Sequence, residues 1–119
     1  MNKRQLADYP LISLQTDEVH NNMDFADLFG RTGLVHIEIG SGKGTFLVNQ
    51  AKADDEINFL GIEWANKYYR QAVDRIGRWA LTNVRIIRTD AACFIADNIA
   101  DESVTCFHIY FPDPWPKKR

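Results

Sequence analysis

A chain of 119 residues, 45% of them hydrophobic and 25% charged, is long enough for one domain that buries about two thirds of the surface its unfolded form exposes. Its net charge of −2 excludes a protein that holds nucleic acid by bulk electrostatics, so any RNA has to be met by a local basic patch. No apolar run approaches the ~18 residues of a membrane span, and the opening MNKRQLADYPLISLQ lacks a signal-peptide core, which reads as a cytosolic protein.

Residues 1–33 read as an N-terminal segment. Its one patterned stretch, NNMDFADLFG, predicts a short capped helix that ends at Gly30, with Phe25, Leu28 and Phe29 on one side. Residues 34–119 read as an α/β domain. LVHIEIG is a short apolar run closed by Gly, as in a buried strand. GTFLVNQAKAD then places Phe46, Leu47, Gln50 and Ala51 at helical spacing. INFLGIE is a second buried strand. ANKYYRQAVDRIGRWALT predicts a long helix with Ala65, Tyr68, Tyr69, Ala72, Val73, Ile76, Trp79 and Ala80 on the core stripe. Arg70, Asp74, Arg75 and Arg78 are left to the surface. VRIIRT, DAACFIADNIA and VTCFHIYF follow as strand, helix and strand. This alternation predicts a doubly wound, mostly parallel sheet of about four strands, with its ligand at the carboxyl ends of the strands.

Cys93 and Cys106 fall in apolar segments and form no C-x-x-C, so two reduced, buried thiols are expected rather than a disulfide or a metal site. His36 and His108 alternate with apolar residues in the first and last of these strands and read as interior or face residues, not catalysts. His20 takes no role.

An acid stands at or just beyond the end of each strand: Glu38, Glu63, Asp90 and Asp113, at intervals of 25, 27 and 23 residues. Each interval is about one βαβ repeat, so the four carboxylates are expected along one rim of the sheet. Between the first two lies EIGSGKGTF, where Gly40, Gly42 and Gly44 let the backbone turn tightly and approach a ligand. A dinucleotide fingerprint would need Gly where Thr45 stands. A P-loop would need Ser or Thr where Gly44 stands, and Gly in place of Ile37. Glu38 beside the glycines opposes an anion and suits a cation. Glu63 can accept from both hydroxyls of a ribose, and Asp90 from an exocyclic amine such as adenine N6. A nucleoside with free hydroxyls and a cationic substituent meets these demands: S-adenosylmethionine does, NAD does not.

The chain closes on FPDPWPKKR. Three prolines end the strand near Phe111 and stiffen a loop that holds Asp113 and Trp115 before Lys117, Lys118 and Arg119. Trp115 reads equally as a face on which a base stacks or as a lid on the sheet end.

EIGSGKG, FLGIEW, TDA and above all FPDPWPKKR resemble the bacterial-type tRNA (guanine-N7-)-methyltransferases, over residues 34–119. The resemblance implies a class I S-adenosylmethionine-dependent methyltransferase fold and tRNA as substrate. It implies that Glu38, Glu63, Asp90 and Asp113 contact the cofactor region, that Asp113 is the catalytic position, and that Lys117 contacts the tRNA. Members of that family continue beyond the equivalent of Arg119, so a C-terminally truncated sheet is expected, cut after its fourth strand. Two other readings stay open: a cofactor-binding module that needs more chain to act, and a nicotinamide-dependent dehydrogenase, against which Thr45 and Glu38 count.

Overall fold

The computed structural model describes residues 6–7, 9–14, 23–100 and 102–109. In chain order its elements are β1 (Ser13–Leu14), α1 (Phe25–Phe29), β2 (Val35–Ile39), α2 (Thr45–Ala53), β3 (Asn58–Ile62), α3 (Asn66–Arg78), β4 (Val84–Ile87), α4 (Ala91–Asn98) and β5 (Cys106–Ile109). The strands form one sheet, ordered β1-β4-β3-β2-β5, and every pairing is parallel. From β2 the chain steps outward through β3 to β4, then returns to lay β5 on the other side of β2. The order therefore reverses at β2, and the crevice beyond the carboxyl end of that strand is where such sheets hold ligands.

The helices divide between the two faces as the alternation predicts. On one face Leu47, Val48 and Ala51 of α2 and Tyr69, Ala72, Val73 and Ile76 of α3 pack with Phe59, Val84 and Ile86 of the sheet. On the other, Phe25 and Phe29 of α1 and Phe94 of α4 pack with Val35, Ile37, Leu60, Ile62 and Ile87. All of β3 is buried because it is covered on both faces, which is why NFLGI reads as an unbroken apolar run. Each such aliphatic side chain contributes ~1.5–3 kcal/mol on burial. Asp24 caps α1 by accepting the Asp27 N–H, and Gly30 closes it at φ 72°, as the sequence predicts. No helix among the described residues is long and apolar enough to cross a membrane.

Three expectations are corrected. The stripe of α3 is narrower than predicted: Tyr69, Ala72, Val73 and Ile76 are buried, whereas Tyr68, Trp79 and Ala80 are exposed. The helix ends at Arg78 and the chain turns left-handed at Ala80, which carries the Trp79 ring outward under the Lys52 ammonium, 3.5 Å from its centroid. Asp74, assigned to the surface, is 1% exposed. It is buried because the N-terminal segment crosses α3 there, and its carboxylate accepts from the Ala7 N–H at 3.2 Å and from Arg78 Nε at 2.9 Å. The cysteines are free thiols but not buried ones. Cys93 is exposed on the outer side of α4, and Cys106 is half-buried on β5, which among the described residues has a neighbouring strand on one side only.

The N-terminal segment is structural beyond its predicted helix. Ile12 enters the core of the α2–α3 face, and β1 adds a short strand beside β4.

Candidate functional site

At the carboxyl end of β2 the chain leaves the sheet through Gly40, Gly42 and Gly44, all at positive φ (78°, 57° and 82°). The glycine loop is held to β3 by its own backbone: Gly40 and Ser41 donate their N–H groups to the Ile62 carbonyl at 2.9 and 3.2 Å. Gly44 starts α2, and a Cβ there would stand 3.0 Å from Cβ of Ala72 on α3. Gly61 makes the seat for this loop, since a Cβ on it would lie 2.6 Å from Ser41 Oγ and 2.7 Å from Leu47 Cδ2. The need for a glycine at position 61 was not read from the sequence, where it looks like any residue of a buried strand.

Glu63, one residue beyond β3, turns its carboxylate back onto the loop. Its Oε1 accepts the Gly42 N–H at 2.6 Å and its Oε2 the Ala65 N–H at 2.9 Å. Each oxygen keeps a further lone pair. Asp90, beyond β4, caps α4: its Oδ1 accepts the Cys93 N–H at 3.0 Å. Between these two acids lies a cleft of about 260 Å³, lined by Ile39, Gly40, Ile62, Glu63, Trp64, Thr89, Asp90 and Ala91.

Glu38 lies beneath the loop and not in the lining of that cleft. It is 1% exposed, and among the described residues neither carboxylate oxygen accepts a hydrogen bond. Burial pushes its carboxyl up to about 7; the Ser41 hydroxyl pulls the other way, and the negative charge of Glu63 adds to the rise. A buried acid whose oxygens accept no hydrogen bond among the described residues, next to positive-φ glycines, is where a cationic group is best received.

The structure thus brings Gly40, Glu63 and Asp90 to one cleft, with Gly42 and Glu38 directly behind it and Gly44 at the start of α2. Asp113, Trp115 and Lys117 lie outside the described residues.

Trp64 is the cleft residue that sequence reasoning passed over. Its indole is 63% exposed at the mouth, with the Arg88 guanidinium 4.7 Å from the ring centroid. Arg88 Nε also donates to the Trp64 carbonyl at 2.8 Å. The available signal was position: a large aromatic directly after the acid that ends a parallel strand stands at the ligand edge of the sheet.

A protein-family profile described as "Putative methyltransferase" matches residues 32–119. A tRNA (guanine-N(7)-)-methyltransferase of Listeria monocytogenes serotype 4b (strain F2365) is 37% identical over 121 aligned residues, covering 98% of this chain and 54% of that protein. Another so named, from Pseudoalteromonas translucida (strain TAC 125), is 39% identical over 93% of this chain and 45% of its own length. The chain therefore spans about half the length of the curated relatives it matches. Among solved structures, a SAM-dependent methyltransferase from Thiobacillus denitrificans, in complex with S-adenosyl-L-homocysteine, matches with a TM-score of 0.53 and 25% identity, over 79% of this chain and 39% of that one.

Proposed function

Because the chain belongs to the family described as "Putative methyltransferase", we propose that it binds S-adenosylmethionine and serves the transfer of its methyl group to N7 of a guanine in tRNA, in the cytoplasm. The observation that carries this reading is the pairing of the Glu63–Asp90 cleft with Glu38, buried beneath the glycine loop with neither carboxylate oxygen hydrogen-bonded among the described residues.

The residues present fit that cofactor. Glu63 offers its remaining lone pairs to ribose hydroxyls, and the free oxygen of Asp90 offers an acceptor to the adenine amine. Trp64 offers a flat apolar face beside them. Glu38 supplies negative charge under the loop, where the cationic part of the ligand belongs. Bound there, S-adenosylmethionine supplies a methyl group on a sulfonium, open to in-line attack.

Guanine N7 has a lone pair at neutral pH, so no residue of this chain has to remove a proton first. The work left to the protein is positioning and electrostatics. In this reading Asp113 accepts from the N1–H and N2–H donors of guanine, which selects guanine over adenine and stabilises the positive charge that develops on the purine. Pro112 and Pro114 restrict that carboxylate, and Lys117 meets a backbone phosphate.

A second reading is favoured by the span of the match. With about half the length of its relatives, this stretch binds the cofactor and depends on further chain for turnover. Calorimetric titration tests the shared premise: S-adenosylhomocysteine binds one per chain and NAD does not. Equal binding of both, or of neither, overturns it. Methyl transfer to unmodified tRNA, present or absent, then separates the two readings.

A further inference from the structure

Away from the cleft, on the sheet face covered by α2 and α3, three side chains from two adjacent strands converge. His36 of β2 is the register partner of Cys106 of β5, and His108 follows two residues later on the same face. His36 Nδ1 lies 3.1 Å from His108 Nε2, and Cys106 Sγ lies 3.6 Å from that same Nε2. All three ligand atoms fall within 4.8 Å of one another.

Hydrogen bonding satisfies these atoms only weakly in the absence of a ligand: one imidazole N–H bridges the two rings, and the Cys106 thiol has the Phe107 carbonyl at 3.8 Å besides His108 Nε2. Three lone-pair donors around one point are what a cation collects. Around a tetrahedral zinc, with bonds of about 2.0–2.1 Å to nitrogen and about 2.3 Å to sulfur, nitrogens stand about 3.3 Å apart and nitrogen and sulfur about 3.6 Å apart. The two edges at His108 Nε2, 3.1 and 3.6 Å, are close to those values, and the edge between His36 and Cys106 lies within 4.8 Å, so binding draws these two together. Aromatic side chains wall the group: Phe59 has its ring centroid 5.4 Å from that of His36, and Phe46 6.1 Å from that of His108. Apolar walls restrict water and strengthen the hold on a metal.

We propose that His36, Cys106 and His108 form a binding site for a borderline-soft divalent cation, Zn²⁺ by its preference for nitrogen and thiolate, which staples β5 to β2. Binding replaces the Cys106 S–H by a metal–thiolate bond, and the proton passes to solvent. Three protein ligands leave a fourth position for water. The proposal is independent of the cofactor cleft, whose lining includes none of these residues.

Metal-stripped protein titrated with ZnCl₂ tests it. One equivalent is taken up per chain and raises the melting temperature. Co²⁺ in its place gives the near-ultraviolet band of a thiolate–cobalt bond. Cys106→Ser abolishes that band and weakens uptake at least ~10-fold, as does His108→Asn. Cys93→Ser, changing the exposed thiol on α4, leaves stoichiometry and band unchanged. Absence of stoichiometric uptake, or of the cobalt band in the unmutated protein, overturns the proposal whether or not the variants fold. So does a band lost with Cys93→Ser and kept with Cys106→Ser.

Discussion

Gly42 donates its backbone N–H to Glu63 Oε1 across 2.6 Å, joining the loop after β2 to the acid after β3. One carboxylate therefore shapes the glycine loop and lines the cleft. Glu63→Gln keeps one acceptor and loses the charge; Glu63→Ala also frees the Ala65 N–H. Hydrogen bonds to a charged group contribute about 1.5–3 kcal/mol, so Glu63→Ala is expected to weaken S-adenosylhomocysteine binding by roughly 10- to 100-fold, with Glu63→Gln between it and the parent. Calorimetry measures both. Unchanged affinity in the alanine variant removes Glu63 from the site.

The raised carboxyl of Glu38 makes stability depend on pH. Its folded value, about 7, lies above the ordinary 4.5, so the folded chain holds this proton more tightly than the unfolded chain does. The sign follows: below the ordinary value no penalty applies, stability falls as pH rises between the two values, and above the folded value the loss is complete. The loss is on the order of 3 kcal/mol. Glu38→Gln removes the titration, so urea unfolding at about pH 5 and about pH 8 should show the parent losing more stability across the interval than the variant. A cationic ligand at Glu38 favours the ionised form. Cofactor uptake near neutral pH should therefore release a proton, read as a dependence of binding heat on the ionisation heat of the buffer.

The N-terminal segment packs where α3 has no side chain. A Cβ built on Gly77 would overlap the Tyr9 ring. Gly77→Ala gains helix propensity of about 0.8–1.0 kcal/mol in isolation but must expel that ring. We expect net destabilisation of about 1–3 kcal/mol, together with faster hydrogen exchange at Ile86, whose N–H is accepted by the Ile12 carbonyl. Slower exchange there, or a gain in stability, would show that the ring is not seated against α3.

These tests mark where the sequence was legible. β2 to β5 and α2 to α4 could be read because each is a periodic run between turn residues, and Glu63, Asp90 and Gly40 reach one cleft because parallel strands put their carboxyl ends together. β1 could not be read, since two residues carry no period and it exists only through its pairing with β4. Asp74 misled because its burial depends on a segment 67 residues away. Cys106 was read as a buried apolar-segment thiol because its exposure depends on what flanks β5. His108 lies two residues along the same strand, but the His36 imidazole that completes the group comes from another. Contacts made across the sheet leave no local pattern.

Trp64 supplies the remaining test of the cleft. Its indole is exposed and holds no core position, and the Arg88 Nε bond goes to its backbone carbonyl, which an alanine retains. Trp64→Ala gives up the Arg88 contact with the ring, about 0.5–1 kcal/mol at an exposed site, so the melting temperature should fall by only a few degrees. If the ring carries the purine, an aromatic stack of about 0.5–1.5 kcal/mol is lost and S-adenosylhomocysteine affinity falls roughly 3- to 10-fold, with Trp64→Phe recovering part of it. Methionine competition separates this from a general disturbance. On the proposed placement of the amino-acid portion near Glu38, affinity for methionine should be the same in parent and variant. Parallel loss of both would place the effect in the loop rather than in stacking.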